Sequence, residues 1–297
     1  MSRSLLLLLL LTLSALRVQA DTPALSTLQK ISQTAIINLG HRESSVPFSY
    51  YDGRRQVVGY SQDLMLKLVE DVRSELKLPA LAVKLVPVTA QNRIPLVQNG
   101  SVDLECGSTT HNRDRARQVS FSVSIFLASS RLMTRKSSGI ADFADLAGRK
   151  VVVTAGTTTE RQLLLKNESL GQRIKTVTAK DHGEAFALLQ SGQVDAFMMD
   201  DGLLYGLRAK ADNPDDWHVV GQPLAAEAYA CMLRKDDPAF KAVVDRGLTR
   251  LMQSGEALKI YKRWFQSPIP PKGLNLNWPA PDALMELYRR PSDQPLG

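Results

Sequence analysis

Aromatic residues are scarce in this chain, at 6% of 297 residues, and its basic residues are interspersed with acidic ones. A stacking groove for nucleic acid is therefore not expected, because such grooves need aromatic platforms along a continuous basic track. The four histidines, His41, His111, His182 and His218, lie at no metal-ligand spacing, so neither a metal site nor a cofactor is expected. No glycine-rich loop carries the lysine that a nucleotide phosphate loop requires. Beyond the first twenty residues, no apolar run is long enough to span a bilayer. Cysteine is limited to Cys106 and Cys231, which excludes a disulfide-dense scaffold and leaves an ordinary core to carry the fold.

What is present begins with a leader. Arg3 precedes an almost pure leucine run from Leu5 to Leu11, and the segment closes on Val18, Gln19 and Ala20. A basic start, a short apolar stretch and small terminal residues describe a cleaved secretory signal over residues 1–20. With no cysteine near Asp21, a lipid anchor is not expected, and the mature chain should work outside the cytoplasm. Removing the leader deletes Arg3 and Arg17 and no acid, so the net charge falls from +7 to +5, a balance suited to capturing anions. Export also places Cys106 and Cys231 in an oxidising compartment, where an even count favours one disulfide.

Three stretches read as strand ends that open into polar loops. One starts at Gly40, His41 and Arg42. A second is Glu105-Cys106-Gly107-Ser108-Thr109-Thr110, leading to Arg115. The third is Gly156-Thr157-Thr158-Thr159-Glu160, where a strand over 151–153 turns into a helix whose first amides would face an anion. Each pattern fits either a solvated loop or the rim of a binding site beyond the carboxyl ends of α/β strands.

A repeat orders these pieces. Residues 96–104 (LVQNGSVDL) resemble 188–196 (LLQSGQVDA), each reading as a helix end, a glycine and a buried strand that runs into polar residues. Two α/β lobes sharing a cleft are expected, one built from 21–130 plus 230–297 and the other inserted at 131–229. The runs 131–136 and 230–235 read as the crossings between them. Along the chain, 60–76 reads as a long amphipathic helix with Leu64, Leu66, Leu68, Val69, Val72 and Leu76 on one face. Residues 81–88 alternate as a strand, 238–258 reads as one helix, and the last thirty residues as a proline-rich tail wrapping the surface.

Taken together, residues 59–63, 98–103, 156–160 and 190–195, with Arg115 and Asp200, resemble the amino-acid-binding proteins of ABC uptake systems. Residues 40–51, 91–95, 105–110, 180–183 and 197–201 are similar to the glutamate/aspartate branch of that family. The resemblance implies an α/β, two-lobed periplasmic-binding-protein fold of type II, its lobes joined by two hinge strands that close over a free amino acid. It implies that Arg115 holds the α-carboxylate with the Thr157 and Thr158 turn. Asp200 takes the α-ammonium with Ser108 and Thr110, and Arg42, Arg93 and His182 surround the side-chain carboxylate. Ala90 departs from the branch, which has a serine donor there. It further implies a monomer in the periplasm that delivers its ligand to an inner-membrane ABC permease and is not an enzyme.

Two other classes compete: an exported enzyme on the same fold, such as a dehydratase acting on a small carboxylate, and a sensor module. The enzyme needs a buried acid or base in the cleft, for which Glu43 and His182 are the nearby candidates. The sensor would ordinarily carry a fused membrane or signalling segment, and none is visible in this sequence.

Overall fold

The computed structural model describes residues 25–296, so the leader expected at 1–20 lies outside the described residues. Among those described, no helix is long and apolar enough to cross a membrane.

Two α/β sheets share one strand. In the first, Ile36–His41 pairs in parallel with Ala82–Pro87 on one side and with Leu104–Glu105 on the other. Ala226–Leu233 continues that sheet antiparallel, and beside it runs the long strand Ser120–Arg135. The far half of the long strand enters the second sheet, pairing antiparallel with Ala196–Asp200, which is followed in parallel by Lys150–Thr154 and Lys175–Ala179. Trp217–Val220 covers the other side of that half. The change of partner is abrupt: Ser129 lies opposite Ala226 and Ser130 opposite Asp200. The lobes therefore meet where Asp200 ends its strand.

The runs 131–136 and 230–235, expected as the crossings, lie one in each sheet instead. The shared strand passes between lobes a few residues earlier, and Ala226–Leu233 returns alongside it. The chain switches sheet within an unbroken strand, which its apolar, strand-forming composition permits.

The repeat is structural. Gly100 and Gly192 follow their helices with φ of 75° and 73°, the left-handed turn that glycine adopts without strain. Asp103 then accepts the amide of Asn38 at 2.8 Å, and Asp195 accepts that of Lys150 at 2.7 Å. Their own amides donate to the Asn38 and Lys150 carbonyls at 2.8 Å each. In both lobes the same aspartate fastens the returning strand to the neighbour whose far end opens into the cleft.

The few aromatic side chains are concentrated around the junction. Phe48, Tyr60, Phe126, Tyr229, Tyr261 and Phe265 are all buried, with Phe48 and Phe126 centroids 4.8 Å apart and Tyr261 stacked on Phe265 at 4.4 Å. Such contacts add about 0.5–1.5 kcal/mol each beyond simple burial. The terminal segment joins this cluster. Trp278 packs edge-on to Phe126, helix Asp282–Arg289 buries Leu284 and Tyr288, and the Tyr288 and Tyr60 hydroxyls lie 2.6 Å apart.

Some local expectations need correction. In helix Tyr60–Glu75, Leu66 points to solvent, two positions from the buried stripe of Leu64, Leu68 and Val72. Strand Ala82–Pro87 is an edge strand, so Val83 and Leu85 stay exposed despite the alternation. The single helix expected at 238–258 is two, Pro238–Gln253 and Glu256–Phe265, broken where Gly255 takes a left-handed backbone.

Candidate ligand-binding cleft

At one pole of the cleft stands Arg115. Asn112 accepts the Arg115 amide at 2.9 Å and caps the short helix Arg113–Ala116 that presents it. Its guanidinium is buried and donates to the Thr110 carbonyl at 3.0 Å and, across the cleft, to the Gly156 carbonyl at 3.1 Å. Burial, then the neighbouring Arg93 charge, lowers its pKa to about 9, which still leaves a cation at neutral pH.

Facing it is the start of helix Thr158–Ser169. Thr157 caps this helix: its hydroxyl accepts the Glu160 amide at 3.1 Å and donates to the Thr154 carbonyl at 2.7 Å. That hydroxyl is occupied, so what the turn offers an anion is its first amides and its dipole. The Thr158 hydroxyl lies 3.4 Å from that of Thr110 in the opposite lobe. Gly156 has φ of 76°, and a Cβ there would sit 2.9 Å from the Gln91 amide nitrogen, so the lobes touch backbone to backbone.

Beside this pole lies Asp200. Asp201 is tied to the backbone, accepting the Gly202 amide at 2.8 Å and the Ser129 amide at 3.2 Å. Asp200 is left to face the cleft, where it accepts from the Tyr229 hydroxyl and, at 3.3 Å, from Ser130. Burial, and after it the nearby Glu227 carboxylate, raises its pKa to about 7.

The second pole collects Arg42, Arg93 and His182, each fully buried or nearly so. Arg42 follows strand Ile36–His41 and is fastened by its amide to the Ser49 hydroxyl at 2.9 Å. Burial, then the Arg93 charge, lowers its pKa to about 10. Arg93 donates to the Ser108 carbonyl at 3.1 Å and to the Thr109 hydroxyl. The His182 Nδ1 meets the Thr154 hydroxyl at 2.8 Å, and burial with the Arg42 and Arg93 charges holds the ring neutral, well below its usual pKa. Arg42 Nη1, Arg93 Nε and His182 Nε2 are all buried without a hydrogen-bond partner among the described residues. Buried donors of this kind are costly unless an acceptor is supplied.

Behind the arginines sits Glu105, fully buried, accepting the Gly107 amide at 2.8 Å and the Thr109 hydroxyl at 2.7 Å. A Cβ on Gly107 would fall 2.4 Å from its Oε1, and one on Gly40 would fall 2.9 Å from its Cγ. The two glycines make room for a carboxylate that faces Arg42 and Arg93. Sequence reasoning gave it no role. Tyr229, Glu227 and Thr154 were also missed. Phe48 belongs to the core, not to the cleft. Ser108 and Thr110 line the rim, with the Ser108 and Ser45 hydroxyls 3.4 Å apart. Cys106 and Cys231 are joined in a disulfide that ties strand Ala226–Leu233 to the loop after Leu104–Glu105. Among the described residues, no cluster of side chains could hold a metal ion.

The junction of the lobes thus presents buried guanidinium groups at two poles and the buried carboxylate of Asp200. The profile of bacterial extracellular solute-binding proteins, family 3, matches residues 37–267. The chain belongs to this family. It is 52% identical over 291 residues to the glutamate/aspartate import solute-binding protein of Escherichia coli (strain K12), covering 97% of this chain and 96% of that protein. It is 54% identical over 269 residues to the L-glutamate/L-aspartate-binding protein of Pseudomonas aeruginosa, covering 90% and 89%. Among solved structures, holo ArgBP from T. maritima superposes with a TM-score of 0.67 at 26% identity, covering 78% of this chain and 97% of that one. An ancestral amino acid-binding protein, a precursor of cyclohexadienyl dehydratase, gives a TM-score of 0.69 at 27% identity, covering 80% and 99%. The fold is thus the two-lobed, type II arrangement, and the chain is an extracellular solute-binding protein of family 3.

Proposed function

We propose that this protein captures L-glutamate or L-aspartate in the periplasm, as a monomer, and delivers it to an inner-membrane ABC permease. Export would use residues 1–20, and the moving bodies would be 21–130 plus 230–297 against 131–229. The observation that carries the ligand class is the pair of unpartnered buried guanidinium donors, Arg42 Nη1 and Arg93 Nε, joined by His182 Nε2 in the tautomer whose Nδ1 accepts from Thr154. A second carboxylate gives all three an acceptor. An amide places its NH2 against them and leaves donors facing donors.

In this reading Arg115 and the Thr157–Thr158 turn hold the α-carboxylate, and Asp200, Ser108 and Thr110 take the ammonium end. Arg42, Arg93 and His182 hold the side-chain carboxylate. Contacts spread over both lobes make closure and binding one event, because neither lobe alone completes the shell. Ala90 is buried and offers no hydroxyl, so in this reading the second carboxylate relies on the arginines and His182. Calorimetric titration against glutamate, aspartate, glutamine and asparagine tests the proposal. The acids should bind at least about a hundredfold tighter than the amides, as expected when a buried hydrogen-bonding site is mismatched. Comparable affinities would remove the acidic-ligand assignment.

A further inference from the structure

The ammonium end of the cleft holds a second carboxylate with no assigned task. Glu227 opens the returning hinge strand Ala226–Leu233, two residues before Tyr229, so both side chains emerge on the same face of the strand. Tyr229 bonds Asp200 from that face. Glu227 is 4% exposed, its Oε1 accepts from Gln162 Nε2 at 2.7 Å, and its Oε2 is buried without a partner. Gln162 stands on helix Thr158–Ser169, whose first turn faces Arg115.

The charges around this point are Asp200 and Asp201 at the end of strand Ala196–Asp200, with Arg93 and Arg115 from the other lobe. Asp201 is already satisfied by backbone amides, and Asp200 is partly satisfied by Tyr229 and Ser130. A primary ammonium carries three donors. Two acceptor oxygens here are buried and still free, Gln162 Oε1 and Glu227 Oε2, and of the two only Glu227 belongs to a carboxylate that can pair with a cation.

We infer that Glu227 is a further ligand-binding residue, its free Oε2 completing with Asp200 an acceptor pair for the α-ammonium. This rests on reading the cleft as an amino-acid site, but not on the identity of the ligand's side chain. It explains why a buried acid is kept beside another buried acid: an ammonium between them offsets the repulsion that Glu227 exerts on Asp200. The raised pKa of Asp200, attributable after burial to Glu227, agrees with this arrangement.

The test compares glutamate with glutarate, which has the same two carboxylates and no ammonium, on the wild-type protein and on Glu227→Gln. The substitution should weaken glutamate by roughly 10- to 100-fold, the range for a hydrogen bond to a charged group, and leave glutarate unchanged or tighter. Equal losses for both ligands, or no loss for glutamate, would overturn the inference. A measurement on the wild type alone guards against a variant that does not fold. Calorimetry at pH 6 in two buffers of different ionisation heat should show proton release with glutamate and none with glutarate; no release with glutamate also overturns it. A wild type that ignores both acids but takes a neutral amino acid would refute the acidic reading only. The comparison then runs with that amino acid and its desamino analogue, with the same outcomes deciding.

Discussion

Gly206→Ala should separate lobe closure from lobe folding. Gly206 lies within helix Asp201–Lys210, and a Cβ there would fall 2.1 Å from the Val46 carbonyl oxygen and 2.5 Å from its carbon. Both sides of this contact are backbone, so no side chain can swing away. Val46 belongs to the turn carrying Phe48, which is anchored to the first lobe by the Tyr60 and Ser61 amides. Restoring an ordinary 3.4 Å contact needs a displacement of about 1.3 Å between helix and turn. Overpacking of this kind costs about 1–3 kcal/mol. If the cost falls on the closed state, ligand affinity drops by roughly 5- to 150-fold. The opened protein gains instead, because alanine is favoured over glycine in a helix by about 1 kcal/mol. Titration calorimetry of glutamate binding, paired with thermal melting of the ligand-free variant, reads both quantities. A lower melting temperature with unchanged affinity would show that this contact belongs to the folded core and does not form on closure.

Arg115→Ala should weaken glutamate binding by about 2–5 kcal/mol, the usual cost of orphaning one member of a buried charged pair; near-normal affinity by calorimetry would refute its assignment to the α-carboxylate. Replacing Cys106 and Cys231 together by alanine should lower stability in urea melts by about 4–5 kcal/mol in the chain-entropy model, since the bridge closes a loop with a sequence separation of 125. An unchanged midpoint would refute that account. His182 has a folded-state pKa well below its unfolded value, so the unfolded chain binds the extra proton below about pH 6.5 and stability falls with pH in that range. Melting curves between pH 7.5 and 5 should therefore show the wild type losing stability relative to His182→Gln as the solution is acidified, and parallel curves would contradict a neutral, buried ring.

Most of the architecture was legible because it rests on short, local regularities. The helix–glycine–aspartate–strand grammar of 96–104 and 188–196 is readable by eye, and its aspartates turn out to make the same bonds in each lobe. Exposure was less legible. The alternation at 81–88 could not reveal an edge strand, nor could helical spacing reveal that Leu66 falls off the stripe, because both depend on what the neighbouring elements leave uncovered. In the cleft, the polar strand ends at Arg42, Ser108 and Thr157 announced a rim. Which arginine meets which carboxylate came from family resemblance, not from spacing. Glu105 and Glu227 stayed invisible for a physical reason. A lone acid in an apolar strand ordinarily marks a solvent-facing position, and only the fold shows these two turned inward toward guanidinium groups.

Those inward acids bear on how a cleft can be strongly basic and still fold empty. Arg42, Arg93 and Arg115 are buried together, and each depresses or is depressed by a neighbour. Three buried cations without counter-ions would be prohibitively unfavourable, since even one unpaired buried charge costs several kcal/mol. Glu105, Asp200 and Glu227 are buried among them, while the other buried acids, Asp103 and Asp237, are engaged elsewhere by Lys30 and Arg234. The acids therefore offset much of the site's positive charge while particular donors stay unbonded. In the proposed reading, discrimination rests less on attraction to any anion than on geometry: an acceptor at Arg42, Arg93 and His182, a second at Arg115 and Thr158, and a cation between Asp200 and Glu227. Inorganic anions and simple dicarboxylates can meet the first two demands and fail the third. On that reading a zwitterionic dicarboxylate would meet all three, and it would bring the lobes together because the groups proposed to meet it are divided between them.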